Sequence, residues 1–161
     1  MSQPAWIAGI SAIKLSRMNL FAPESDDCFA VRQAARHISK LYERHLSEVG
    51  ITPTQFSILS ALGRSPKLTM IELSKAMVMD RTTLVRTLKP LLRNGLVAAP
   101  AEEQSKRRLQ LLLTDSGRAK LDESAAHWRA AQASFEDSFG QQEAARLRSE
   151  LFRITRDISE P

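Results

Sequence analysis

Apolar residues along this chain recur at steps of three and four, and glycines, prolines and capping residues cut the pattern into segments. From Asp27 to about Val49, "DCFAVRQAARHISKLYERHLSEV" sets Phe29, Ala30, Ile38, Leu41, Tyr42, His45 and Leu46 at mostly helical spacing. Gly50 follows, where a glycine beyond the last turn commonly ends a helix. In "ITPTQFSILSAL" Thr52 is placed to cap the next helix, Pro53 takes its first position and Gln55 completes a capping box. Thr69 and Glu72 repeat the device before the apolar run of "LTMIELSKAMVM". A further helix starts from Asp80 in "MDRTTLVRTLKPLLRNG" and stops at Asn94 and Gly95. Short helices in immediate succession, the last two only a few residues apart, outline a helix-turn-helix.

After Gly95 the period changes. "LVAAP" and "LQLLL" read as short strands flanking the polar, basic "AEEQSKRR", a hairpin with a charged tip. From Thr114 onward Leu121, Ala125, Trp128, Gln132 and Phe135 form an approximate helical stripe. Gly140 interrupts it, and Leu147, Leu151, Ile154 and Ile158 are in register on a last helix. These two helices are amphipathic and have little globular body to pack on, so a partner chain is expected to cover them. Residues 1–26 show no clear period and read as an N-terminal arm, in which Trp6, Ile7, Ile10 and Ile13 could cover an interface. The predicted class is mainly α with a small β-hairpin wing. Its predicted division is an arm at 1–26, dimerisation helices at 27–50 and 115–161, and a winged helix-turn-helix at 51–114.

With Leu84 at zero and 100° per residue, Leu88, Leu91 and Leu92 fall within about 80° of it and form the predicted buried side. Thr82, Arg86, Lys89 and Arg93 fall between about 140° and 200°, directly opposite. Threonine hydroxyls near the helix start suit phosphates or base edges, and Arg86 suits a bidentate contact with guanine in a major groove. Pro90 removes one helical hydrogen bond and crowds the carbonyl of Arg86, so a bend without a break is expected.

Charge sharpens this picture by position. Between Arg64 and Arg108 ten basic residues face four acidic ones, a surplus of six, whereas the whole 161-residue chain has a formal charge of +5, which leaves −1 for the remainder. A basic middle between near-neutral flanks is the footprint expected of a nucleic-acid surface, although an exposed helix face is also normally charged. The helix, the capped helix before it and the hairpin tip carrying Lys106, Arg107 and Arg108 together match a known way of docking on double-stranded DNA. The single cysteine, Cys28, excludes an internal disulfide and a cysteine-based zinc cluster. His37 and His45 stand eight apart on one helix, too far for a shared metal without further ligands, and neither a metal nor another cofactor is expected. No apolar run is long enough to cross a bilayer, and the positive charges of the first twenty residues follow the apolar part, unlike a signal peptide. The expected location is the cytoplasm, with no membrane partner. No nucleotide-binding glycine loop, nucleophile elbow or histidine with an evident acidic partner supports an enzyme, and His127 beside Trp128 reads as packing.

The runs "RQAARHISKLYERHLSEVGITPTQFSILSAL", "LTMIELSKAMVMDRTTLVRTLKPLLRNGLV" and "LLLTDSGRAKL" resemble the MarR family of winged helix-turn-helix regulators across about residues 28 to 158. The motifs that carry the resemblance are "T-x-x-x-R-x-L-K-P-L" from Thr82, "G-L-V" from Gly95 and "L-T-x-x-G" from Leu113, in order. The resemblance implies a homodimer with intertwined N- and C-terminal helices and two winged modules on a pseudo-palindromic operator. It implies repression relieved by a small ligand or by oxidation. It also implies that Pro90 is tolerated. Together with the helical wheel it assigns Arg81, Thr82, Thr83, Arg86 and Lys89 to the recognition helix and Lys106, Arg107 and Arg108 to the wing. Where the family's wing often has Asp-x-Arg, this chain reads Ser105, Lys106, Arg107. Arg107 is retained as the candidate for a narrow minor groove.

Two inputs are legible. Cys28 lies near a helix start with Arg32 one turn on, which favours a thiolate, whereas Asp26 and Asp27 oppose it. In family members that sense organic hydroperoxides a cysteine in a similar "C-F-A" context accompanies a tyrosine at the place of Tyr42. Free cysteine is more often buried than reactive, and Cys28 reads first as a small buried hydrophobe. The other input is a small organic effector, in this family often an aromatic carboxylate or related compound, for which the resemblance implies a pocket near His37, Tyr42, His45, Phe56 and Trp128. Each of these also reads as packing. The predicted function is a DNA-binding transcriptional regulator, a repressor released by a possibly aromatic or phenolic ligand. The alternatives are a thiol-based repressor acting through Cys28 and a winged-helix adaptor that does not bind DNA.

Overall fold

A computed structural model of the chain describes residues 25–99 and 110–157, and the chain divides into two compact units, 1–38 and 39–161. Helix α1 (Asp27–Leu46) runs across that division. In the first unit its start is capped by Asp26, whose Oδ1 accepts the Phe29 amide at 2.9 Å.

In the second unit α1 ends in a single 3-10 turn, Ser47–Val49, closed by Gly50 at φ 69. Helix α2 (Pro53–Arg64) follows, then strand β1 (Leu68–Thr69), helix α3 (Met70–Met77), helix α4 (Arg81–Arg93), strands β2 (Val97–Ala98) and β3 (Gln110–Leu113), and helices α5 (Asp115–Phe139) and α6 (Gln141–Asp157). Both capping boxes form. Thr52 accepts the Gln55 amide and Gln55 returns to the Thr52 amide, and Thr69 and Glu72 do the same. The first four amides of a helix lack an intrahelical partner, and here the side chains at the cap and three residues on supply two of them.

The sheet is antiparallel in the order β1-β3-β2, with Leu68 opposite Leu111 and Val97 opposite Leu113. The pattern of the sequence predicts two of these strands. β1 is the addition, because its two residues lie directly before a helix cap and are too few to show a period of two. Helix α2 is the centre of the core and packs on α3, α4, α5 and β3. Its Ile58, Leu59 and Leu62 meet Leu46, Leu73, Leu84, Leu88, Leu91 and Leu111, all essentially inaccessible. Leu92 departs from expectation. At the edge of the predicted apolar arc, it is 39% exposed, while Leu84, Leu88 and Leu91 fill the available space. Helix α4 runs through Pro90 without a break.

Helix α5 buries small residues seven apart, Gly117, Ser124 and Ala131, and lines the half-buried flank with Leu121, Trp128 and Phe135. The predicted stripe contains the large residues and misses the small ones, since only close approach to a neighbour selects glycine, serine and alanine. On α6 Ala144 is buried, whereas Leu151, Phe152 and Ile154 are exposed. Ile158 lies outside the described residues.

Candidate nucleic-acid interface and aromatic core site

Helix α4 is fixed at its start by Asp80. Its Oδ1 accepts the Thr83 amide at 2.8 Å and its Oδ2 accepts the Thr83 hydroxyl at 2.7 Å. These bonds, the amide's first, hold the Asp80 carboxyl below the ordinary carboxylate value. Glu72 is lowered in the same way by the Thr69 amide and hydroxyl. The turn that precedes α4 is formed by Val78 in the left-handed region at φ 49 and by Met79, whose amide donates to Ser74 O.

From this anchored start, Thr82, Arg86, Lys89 and Arg93 project into solvent on one side, Arg81 is exposed in the first turn, and Leu84, Leu88 and Leu91 enter the core on the other side. Among the described residues none of these cations forms an ion pair. Such a row repels itself and is stabilised by a polyanion. Thr83 differs from Thr82. It is half-buried with its hydroxyl proton committed to Asp80, and Thr87 likewise bonds back to Thr83 O at 2.9 Å. Thr83 therefore shapes the helix start, and Thr82 is the threonine presented outward. Val85, which the polar and apolar pattern leaves unremarked, is exposed at the margin between the apolar arc and the cations.

The hairpin that follows is tied to the helix end. Gly95, at φ 68, turns the chain, and Thr114 Oγ1 reaches back to the Gly95 carbonyl at 2.7 Å while accepting the Gly117 amide at 3.0 Å. The "L-T-x-x-G" motif is thus a clasp. It joins the end of α4, strand β3 and the first turn of α5. The wing residues Ser105, Lys106, Arg107 and Arg108 lie outside the described residues.

Away from that face, three of the predicted pocket residues come together. Phe56 and Trp128 stack with centroids 4.3 Å apart at 11°, and Tyr42 meets Trp128 edge-on at 4.5 Å and 62°. Tyr42 donates to Gln132 Oε1 at 2.5 Å, Gln132 donates to Glu136, and Arg148 of α6 donates to the same Glu136 oxygen at 3.0 Å. Burial raises the Tyr42 phenol above its ordinary value, an effect opposed by the Arg148 charge and reinforced by Glu136. His45 Nε2 lies 3.3 Å from the Ser134 hydroxyl. His37 is exposed in the first unit, and so is Cys28, whose buried reading is corrected by its place in the first turn of α1.

His127, expected to have no acidic partner, has one. Its Nδ1 lies 3.4 Å from Glu48 Oε2, beside the Lys120 ammonium that donates to Val49 O at 3.2 Å. Both contacts fasten the turn after α1 to α5, and neither spacing is visible along the chain. Among the described residues no group of three or more His, Cys, Asp or Glu is placed to hold a metal, and no helix is long and apolar enough to cross a membrane.

A sequence model of the MarR family matches residues 49–108. The chain is 34% identical over 91 residues to the HTH-type transcriptional regulator SarZ of Staphylococcus epidermidis, a match covering 56% of this chain and 62% of SarZ. The chain thus spans less than two thirds of the length of the curated relatives it matches. Among solved structures it is similar to the M. tuberculosis transcriptional regulator MosR, with 33% identity, a TM-score of 0.75 and coverage of 87% of this chain and 100% of that one. MosR in complex with DNA is similar at 34% identity and a TM-score of 0.74, covering 84% of this chain and 97% of that one. These relatives are named as regulators of transcription and not as enzymes.

Proposed function

Since the chain belongs to the MarR family, we propose that it is a sequence-specific transcriptional regulator that binds double-stranded DNA as a homodimer in the cytoplasm. It represses at a pseudo-palindromic operator until a small aromatic or phenolic ligand releases it. The observation that carries this reading is the α4 surface, where Arg81, Thr82, Arg86, Lys89 and Arg93 stand in solvent without an ion pair among the described residues. A helix of that shape enters a major groove with its N-terminal residues at the base edges. Arg86 addresses a guanine, Thr82 and Lys89 address bases or phosphates, and Arg81 meets the backbone. Thr83 holds the helix start, and Lys106, Arg107 and Arg108 serve the wing. That MosR has been solved in complex with DNA supports the same partner here.

Dimerisation falls to residues 27–50 and 115–161, which is supported by the exposed Leu151, Phe152 and Ile154 of α6. The ligand reading rests on the aromatic cluster of Tyr42, Phe56 and Trp128, with His45 and Gln132 beside it as polar groups. The second reading, repression relieved by oxidation of Cys28, is favoured by the exposure of that thiol.

The test is a titration of the full chain on the duplex upstream of its own gene at two salt concentrations, repeated with peroxide and with Cys28→Ser. Binding that weakens steeply with salt supports the DNA reading. Loss on oxidation in the wild type alone selects the thiol mechanism, and indifference to peroxide selects the ligand. Binding no tighter than to random duplex overturns both in favour of an adaptor that does not use DNA.

A further inference from the structure

On helix α4 two exposed residues are apolar, Leu92 near its end and Val85 in its first half. Val85 is 50% exposed, in the fifth position of α4, with Arg81 one turn before it, Arg86 beside it and Lys89 one turn after. On the helical wheel it lies at about 100° from Leu84, inside the arc bounded by Arg81 near 60° and Arg86 near 200°. It therefore stands at the border of the cationic surface, between Leu92 at about 80° and Lys89 at about 140°. Core packing does not account for it, because Leu84, Leu88 and Leu91 fill the buried side. Helix propensity does not account for it either, since a β-branched side chain is a poor choice at an exposed helical position.

Resting on the DNA-binding reading above, we propose that Val85 is a specificity-determining residue that reads thymine, packing its two methyl groups against the C5-methyl in the major groove. Its cationic neighbours supply the reason for that occupant. Arg81, Arg86 and Lys89 carry the helix to a polyanion, and the apolar group that DNA displays in its major groove is the thymine methyl. A contact of this kind excludes water from both partners. It discriminates against cytosine, which offers an amino group and no methyl, without any hydrogen bond.

The experiment uses the full chain and a duplex selected from a random pool by the wild-type protein. Each thymine in turn is replaced by deoxyuridine, which removes the C5-methyl and leaves base pairing intact. At one thymine per half-site the wild type is expected to lose roughly three- to fivefold in affinity, the worth of one methyl group at about 0.8 kcal/mol. Val85→Ala is expected to bind thymine and uracil equally at that position, with guanine discrimination and salt dependence unchanged. Because the uracil series is read on the wild type, it does not depend on how the variant folds. The proposal is overturned if the selected duplex binds tightly and no uracil substitution shifts affinity by twofold. It is equally overturned if Val85→Ala keeps the wild-type ratio. If the pool yields no duplex bound above random sequence, the DNA-binding reading itself falls and this inference with it.

Discussion

Gly117 lies directly beneath the carbonyl of Leu96. A β-carbon there would overlap the carbonyl oxygen and stand 2.9 Å from the carbonyl carbon and 2.7 Å from Leu113 Cδ1. The first turn of α5 is thereby pressed against Leu96, which leads from α4 into β2, and Thr114 closes the same joint by donating to Gly95 O and accepting from the Gly117 amide. The end of α4 and the start of the long helix α5 are thus joined directly within one chain.

Gly117→Ala should therefore destabilise the protein by about 1 to 3 kcal/mol, because backbone and a packed leucine must move to admit one methyl group. Glycine to alanine inside an unconstrained helix has the opposite sign and stabilises by about 0.5 to 1 kcal/mol. The urea midpoint measures it, and a rise would show that α5 does not pack this closely.

Val78 should yield the reverse result. It is a β-branched residue in the left-handed region, highly exposed, at the turn between α3 and α4. Asparagine tolerates that conformation far better, so Val78→Asn should raise stability by about 1 kcal/mol. Thermal unfolding monitored by circular dichroism would register an unchanged or lowered midpoint if the turn were relaxed as it stands.

Tyr42 predicts an alkaline signature. Its phenol is raised above the ordinary value of 10.0 by burial, so its contribution to stability is fully present below that pH and is lost as pH rises through the folded value. Tyr42→Phe should cost about 1 kcal/mol at neutral pH through the lost bond to Gln132. It should also lose less stability than the wild type above pH 10. Parallel pH profiles for the two proteins would exclude this assignment.

Arg86 and Lys106 separate base reading from phosphate contact. Arg86→Ala should cost about 1 to 3 kcal/mol on the cognate duplex and relax preference at one base pair, whereas Lys106→Ala should weaken every sequence alike. Binding to the cognate duplex, to its single-base variants and to random duplex distinguishes them. Equal weakening by both substitutions would remove Arg86 from direct readout.

The helix starts were legible because each is encoded within four residues. Thr52 with Gln55, Thr69 with Glu72, Asp80 with Thr83 and Thr114 with Gly117 all bond as their spacing implies. The cationic side of α4 was legible for the same reason, as was the burial of Leu84, Leu88 and Leu91 opposite it. The roles of Thr82 and Thr83 were not separable along the chain, since both suit a helix start and only the cap geometry commits one hydroxyl to Asp80.

Local order along the chain thus determined the helices, their caps, the turn glycines and the polarity of the recognition helix, because those depend on neighbours within one or two turns. Tertiary structure decided which of the apolar residues are covered, and so left Leu92 at the surface and buried Gly117, Ser124 and Ala131. It also decided pairings that no local rule reaches. Tyr42 meets Gln132 across 90 residues, His127 meets Glu48, and β1 meets β3, because α5 and the sheet pack back onto segments far earlier in the chain. Distance along a sequence carries no information about such contacts, which depend on how whole helices fit together.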